Sequence, residues 1–135
     1  MKNVLILGGV SYNTMIYTDD FPEPRSHTVY PRRFFETVGS TGAGKALNLC
    51  RLNFDATLYG LLGEDEFAAR VERPLAAAGI RFIHGLDPAG TKRHVNLMNA
   101  DGGRISIFIV PGTYDVAVDW ADLEPEIARC DFVAL

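Results

Sequence analysis

Val4-Leu5-Ile6-Leu7, closed by Gly8-Gly9, constrains the fold of this chain more than any other stretch. Four consecutive apolar residues stopped by glycines read as a strand buried on both faces, the pattern of a central strand in a parallel sheet. The run is too short for a secretory leader, and no small-residue cleavage site follows it. No segment is long and apolar enough to span a membrane.

Further elements follow in order. Phe21–Val38 is rich in Pro, Arg and aromatics, and its two β-prone pieces, Thr28-Val29-Tyr30 and Phe34-Phe35, are separated by Pro31. Proline confines such pieces to edge strands or an extended excursion. Ala43–Phe54 has helical composition, with Ala46, Leu47, Leu49, Cys50 and Leu52 apolar around most of its circumference, which predicts a buried helix. Ala56–Leu62 reads as a strand. Phe67–Ala78 reads as a helix with Phe67, Val71, Leu75 and Ala78 on one face, stopped by Gly79 and kinked or shortened by Pro74. Ile80–Ile83 is a short strand. Arg93–Met98 and Arg104–Val110 flank Asn99-Ala100-Asp101-Gly102-Gly103 and predict a hairpin. Trp120–Arg129 is a helix and Asp131–Leu135 the start of a buried strand.

The order of elements predicts an α/β sandwich, with the hairpin and the early edge strands as a separate flap. At 135 residues the chain has room for one core. Domains rarely stop inside a core element, so Phe132-Val133-Ala134-Leu135 predicts a domain cut within its sheet. The net charge of −4 argues against a broad nucleic-acid or membrane-surface partner. Cys50 and Cys130 read as small buried hydrophobes in a reducing cytoplasm. His27, His84 and His94 show no metal-ligand spacing with them.

Gly39-Ser40-Thr41-Gly42-Ala43-Gly44-Lys45-Ala46 matches the phosphate-binding pattern G-x-x-x-x-G-K-[ST] until its last residue, where Ala46 lacks the Mg²⁺-holding hydroxyl. Three readings are open. One is a P-loop NTPase, although no apolar strand leads directly into the first glycine. Another is a turn that only caps a helix. The third is a cradle for a small polar ligand, in which backbone N–H groups, Ser40, Thr41 and Lys45 meet hydroxyl or oxyanion groups.

Several stretches together carry a family resemblance. Leu7-Gly8-Gly9-Val10, Phe21-Pro22-Glu23-Pro24, Leu61-Leu62-Gly63-Glu64-Asp65, Leu75-Ala76-Ala77-Ala78-Gly79-Ile80 and Asn99-Ala100-Asp101-Gly102-Gly103-Arg104 lie in order around Gly39–Ala46. The chain resembles the N-terminal part of the ribokinase-like (PfkB) carbohydrate kinases, with Gly39–Ala46 similar to their G-G-x-G-A-N-x-A signature. The resemblance implies a Rossmann-like α/β/α sandwich with a small β-sheet lid, its strands within about 14–38 and 91–110. It implies phosphorylation of a sugar or nucleoside hydroxyl with ATP and Mg²⁺. The acceptor contacts it implies are Asn13 with Ser11 beside it, then Gly39, Ser40, Thr41, Gly44 and Lys45 from the glycine turn, and His94 and Asn96 from the lid.

Two departures bear on the acceptor: Gly44 stands for the usual Asn and Asn13 for the usual Asp, which points to an acceptor unlike simple ribose. The family's G-x-G-D base turn does not occur in the chain, so these residues cover the acceptor side and lid, without the base or the ATP site. This piece alone is not expected to turn over ATP. A non-catalytic module pairing subunits through its lid strands, as a possible homodimer, is the competing class.

Overall fold

The computed structural model describes residues 1–114 and 118–135. β1 (Asn3–Leu7) lies inside a four-stranded parallel sheet of order β5-β4-β1-β8, with β4 at Asp55–Leu62, β5 at Arg81–Leu86 and β8 at Phe132–Ala134. Successive side chains on a strand point to opposite faces. Val4 and Ile6 accordingly enter one core with Ala43 and Ala46 of helix α1 (Thr41–Arg51) and Val71 and Leu75 of helix α2 (Glu66–Ala77). Leu5 enters a smaller core on the other face, with Tyr59 and with Leu123 of helix α3 (Trp120–Arg129). Helices thus cover both faces, the α/β/α sandwich expected of a strand that is apolar at every position.

Local chemistry sets the helix ends. Asp65 caps α2, its Oδ1 accepting from the Phe67 and Ala68 amides at 2.9 and 3.2 Å. Gly79, at φ +77°, follows the end of α2 in the left-handed conformation that glycine adopts freely. The helix continues through Pro74 and ends three residues later, so proline neither breaks nor displaces it.

The second sheet has order β3-β2-β6-β7, formed by β2 (Ser11–Tyr17), β3 (Arg33–Gly39), β6 (Arg93–Met98) and β7 (Arg104–Val110). β2 pairs antiparallel with β3 and parallel with β6, and β6 and β7 form the expected hairpin. The helices and the two hairpin strands lie within three residues of their sequence-predicted bounds.

Of the two forms expected for Thr28-Val29-Tyr30, the structure shows the excursion: residues 18–32 cross the surface without regular pairing. Three expectations need correction. β2 begins at Ser11, three residues before the expected lid strands, and occupies the middle of the second sheet, where the hydrophobic pattern predicts no strand. α1 is buried along one face only: Gly42, Ala43 and Ala46 meet the sheet while Leu52, at its C-terminal end, is 68% exposed. A helix lying on a sheet needs one apolar stripe, and its remaining leucines only flank that stripe. Cys50 and Cys130 are free and half-buried rather than buried. Cys50 Sγ donates to the Ala78 carbonyl.

Candidate acceptor site

The glycine turn joins the last residue of β3 to the first turn of α1. Ser40 occupies the N-cap position at φ 75°, ψ 165°, and its side chain caps no helix N–H. That backbone region is almost exclusive to glycine. Gly42 lies against the end of β1: a methyl group on it would stand 2.5 Å from the Gly8 carbonyl carbon and 2.7 Å from the Gly9 carbonyl oxygen. The Ala43 amide donates to that same Gly9 oxygen at 3.2 Å. Gly42 therefore serves a close approach of helix to strand. Gly44 differs, since a methyl group there would have no neighbour within 4 Å.

β2 and β6 bring the polar side chains together. Alternation puts Ser11 and Asn13 on one face of β2, and the register sets Asn13 beside His94 and Met15 beside Asn96. Ser11 and Asn13 are fully or almost fully buried, as is Asn96. Ser11 Oγ donates to Asn13 Oδ1 at 2.8 Å and lies 3.2 Å from His94 Nε2. A serine hydroxyl has one proton, so with that proton on Asn13, Ser11 Oγ accepts from an Nε2–H tautomer of His94. His94 Nδ1 is then an acceptor, and it is buried without a partner among the described residues. Burial, with the nearby Lys92 and Arg104 charges, holds the His94 pKa below its ordinary value. The ring is neutral at pH 7 and stacks on Phe108 at 4.8 Å.

Asn13 also touches the glycine turn. A methyl group on Gly39 would lie 2.1 Å from Asn13 Nδ2, so the first signature glycine makes room for this amide. Ser11, Asn13, Gly39 and His94 form one cluster. Asn96 lies further along the same face, accepting from Ser106 Oγ at 2.6 Å and facing Met15 Sδ. Ser40 lies over Gly9. Thr41 is exposed at the start of α1, and Gly44 faces open space on it. Lys45 is exposed, and its ammonium donates to the Leu135 carbonyl at the end of β8, apart from the Ser11 cluster.

Sequence reasoning misses a second group of residues beside this cluster. A cavity of about 290 Å³ opens at the ends of β1 and β4, with Gly9, Gly60, Asp87, Lys92 and Thr113 in its wall. Asp87 is 5% exposed and accepts from the Thr113 amide at 3.0 Å, Thr113 Oγ1 at 2.6 Å and the Ala89 amide at 2.9 Å. Burial pushes its carboxyl up, but these hydrogen bonds and the Lys92 charge outweigh that and leave its pKa below the ordinary value. Asp65 Oδ2 accepts from the Thr91 amide at 2.7 Å, and a methyl group on Gly63 would lie 2.3 Å from the Thr91 nitrogen. Leu61–Asp65 thus holds the segment that leads into β6. The signal available for Lys92 is parity, since it precedes His94 and Asn96 by two and four residues.

Among the described residues no group of three or more His, Cys, Asp or Glu side chains assembles that could hold a metal ion. No helix among the described residues is long and apolar enough to cross a membrane.

The chain is similar in sequence and fold to known proteins. The chain is 32% identical over 106 residues to acarbose 7(IV)-phosphotransferase of Actinoplanes sp., covering 78% of this chain and 36% of that protein. It is 28% identical over 120 residues to ribokinase of Bacillus subtilis, covering 85% of this chain and 39% of that protein. A solved structure of a microbiome-derived acarbose kinase superposes with a TM-score of 0.87 at 26% identity, over 98% of this chain and 45% of the other. The chain spans less than half the length of these relatives. No protein-family model matches it. Sequence, signature turn and two-sheet architecture agree in their likeness: over its length the chain is similar to part of the ribokinase-like carbohydrate kinases.

Proposed function

We propose that these residues form the acceptor half of an ATP-dependent kinase acting on a hydroxyl of a small polyhydroxylated compound, a sugar or nucleoside, in the cytoplasm. One observation carries the reading: Ser11, Asn13 and His94 form a buried polar cluster directly against Gly39 of the signature turn. Buried polar groups need partners. A ligand hydroxyl can both donate and accept, which suits an asparagine amide and an unpartnered imidazole nitrogen.

In this reading the second sheet is a lid. Its polar face holds and orients the acceptor through Asn13, His94 and Asn96, and its closure over the sandwich excludes water. Ser11 fixes the rotamer of Asn13 and the tautomer of His94. The base, the nucleotide and Mg²⁺ come from outside these residues, and the acceptor hydroxyl attacks the terminal phosphate of ATP. The names of the acarbose relatives favour an acceptor larger than ribose. Open space at Gly44, where the family carries Asn, favours it too.

The test is transfer of phosphate from ATP across a panel of sugars and nucleosides, with the protein expressed in its natural reading frame. Asn13→Ala is expected to lower kcat/KM by about a hundredfold, the loss of hydrogen bonds worth about 3 kcal/mol. Lys45→Ala is expected to leave the KM for ATP unchanged, which separates this reading from a P-loop enzyme. Transfer indifferent to Asn13→Ala, or no transfer to any member of the panel, refutes it.

A second reading has one observation in its favour. β7 is an edge strand with Ile105, Ile107 and Ile109 exposed, an unusual apolar edge that a second copy would cover. A concentration-dependent dimer that Ile107→Lys abolishes supports subunit pairing through the lid. A strict monomer by light scattering rules it out.

A further inference from the structure

The second sheet meets the sandwich by its back as well as by the glycine turn. On β2, Tyr12 lies between Ser11 and Asn13 and so points to the opposite face, and Arg93 precedes His94 on β6 in the same way. Both side chains lie against the start of α2. The Tyr12 and Phe67 rings have centroids 5.9 Å apart, and the Arg93 guanidinium stands 3.6 Å over the Phe67 ring. Arg70 follows Phe67 by three residues on the same face of α2. Its guanidinium lies 5.1 Å from the Phe67 ring centre and 5.7 Å from that of Tyr12. Arg70 Nη1 is 3.5 Å from Glu36 Oε2 on β3, and the Tyr12 hydroxyl donates to that same oxygen at 3.3 Å. Glu66, one turn back on α2, accepts from Arg70 Nη2 at 3.1 Å and braces the side chain. One guanidinium thus ties α2 to both β2 and β3.

The joint around this contact is built to give. The chain crosses between the two sheets four times, and the crossings carry Gly8-Gly9, Gly39, Gly90 and Gly112. A few loop or element-terminal residues of this kind absorb rotation between packed bodies. Beside Arg70 a groove of about 340 Å³ separates the back of the second sheet from α1 and α2, with Val38, Leu47 and Pro74 in its wall. An exposed ion pair or cation–ring contact is weak alone. Here one side chain makes them all, so losing Arg70 loses them together.

We propose that Arg70 is a positioning residue: with Glu36, Tyr12 and Phe67 it latches the second sheet to α2 at the angle that sets Ser11, Asn13 and His94 against the glycine turn. The inference rests on the proposed kinase reading only in taking that cluster as the place where the acceptor binds.

The test uses the protein in its natural reading frame, with nitroxides on Asp101→Cys and Glu124→Cys and the other cysteines replaced by alanine. Asp101 is exposed at the hairpin tip of the second sheet, and Glu124 is exposed on α3 of the sandwich. Double electron–electron resonance reads the distance between them. Wild type is expected to give one narrow distance, and Arg70→Met and Glu36→Ala a displaced or broadened one, with circular dichroism unchanged. The double variant is expected to go no further than Arg70→Met alone, because both changes break one latch. A role in stability alone lowers the melting temperature and leaves the distance where it was. A second measurement, on unlabelled protein, uses ATP and the acceptor panel, glucose, ribose and adenosine included. Arg70→Met is expected to raise the KM of the accepted compound about tenfold and to leave the KM for ATP unchanged, since apparent affinity falls with the fraction of molecules in the competent arrangement. The same distance distribution in wild type and Arg70→Met overturns the proposal, and so does a displaced sheet with an unchanged acceptor KM. A sheet displaced by Arg70→Met in a protein that phosphorylates no member of the panel refutes the kinase reading and leaves the latch standing.

Discussion

Gly42 and Gly44 belong to one helix, two residues apart, and the structure assigns opposite signs to the same substitution at each. Replacing glycine by alanine in a helix ordinarily gains about 1 kcal/mol, from the lower backbone entropy of the unfolded chain. At Gly44 nothing opposes that gain, because the added methyl has no neighbour within 4 Å. At Gly42 the methyl would meet three backbone atoms of Gly8 and Gly9 at 2.5 to 2.8 Å, and no side chain can rotate away to relieve it. Either α1 lifts off the sheet or the end of β1 moves, and overpacking of that kind costs about 3 kcal/mol. The expected outcomes are a net loss of about 2 kcal/mol for Gly42→Ala and a gain of about 1 kcal/mol for Gly44→Ala. Urea unfolding monitored at Trp120 reads both, with melting temperatures moving by about 4 °C per kcal/mol for a domain of this size. Equal effects at the two positions, or a stable Gly42→Ala, would show that the glycines serve only chain flexibility and that the α1–β1 contact is not the reason for Gly42.

Two further outcomes follow from named contacts. Ser40→Gly relieves a backbone strain of about 1–3 kcal/mol and costs roughly 0.5–1 kcal/mol of extra chain entropy, so it is expected to raise the melting temperature. A destabilised Ser40→Gly contradicts the strain. Asp87→Asn loses the charge in the bonds from Thr113 and Ala89 and is expected to cost about 2 kcal/mol. The folded-state pKa of Asp87 is depressed, so its contribution is fully present above the unfolded value near 3.9 and is lost as pH falls through the folded one. Urea midpoints should therefore converge for wild type and Asp87→Asn in acid and separate above about pH 4. A constant gap across that range refutes this role for Asp87.

The sandwich is legible in the sequence because its physics is local. Val4–Leu7 is apolar at every position since both faces of β1 are covered, and Gly79 stops α2 because the chain there needs a positive φ. β2 is not legible from its hydrophobic pattern. Its buried residues are Ser11 and Asn13, so its inward face is polar and its hydrophobic pattern is inverted. Pattern reading assumes that polar residues face water, and that assumption fails where a strand buries polar groups that bond to one another, as Ser11 does to Asn13 and His94. Lys92 escapes for another reason. Its place beside Gly9 depends on the β5–β6 connection crossing from one sheet to the other, which no local spacing encodes. Lys45 sits in the signature itself, yet helical geometry turns it toward β8.

The likeness of Gly39–Ala46 to a P-loop has the same kind of explanation. Both segments need glycine where backbone approaches backbone or ligand more closely than a Cβ allows. In a P-loop the strand entering the turn is part of the parallel sheet that carries the helix. Here the entering strand is β3, which belongs to the second sheet, while α1 packs on the first. The turn is therefore one of the links between sandwich and lid, clamped to β1 through Gly42 and to β2 through Gly39 and Asn13. In the proposed function, an acceptor at Ser40, Gly39 and Asn13 would contact both sheets at once, so its binding would favour the arrangement that holds them together.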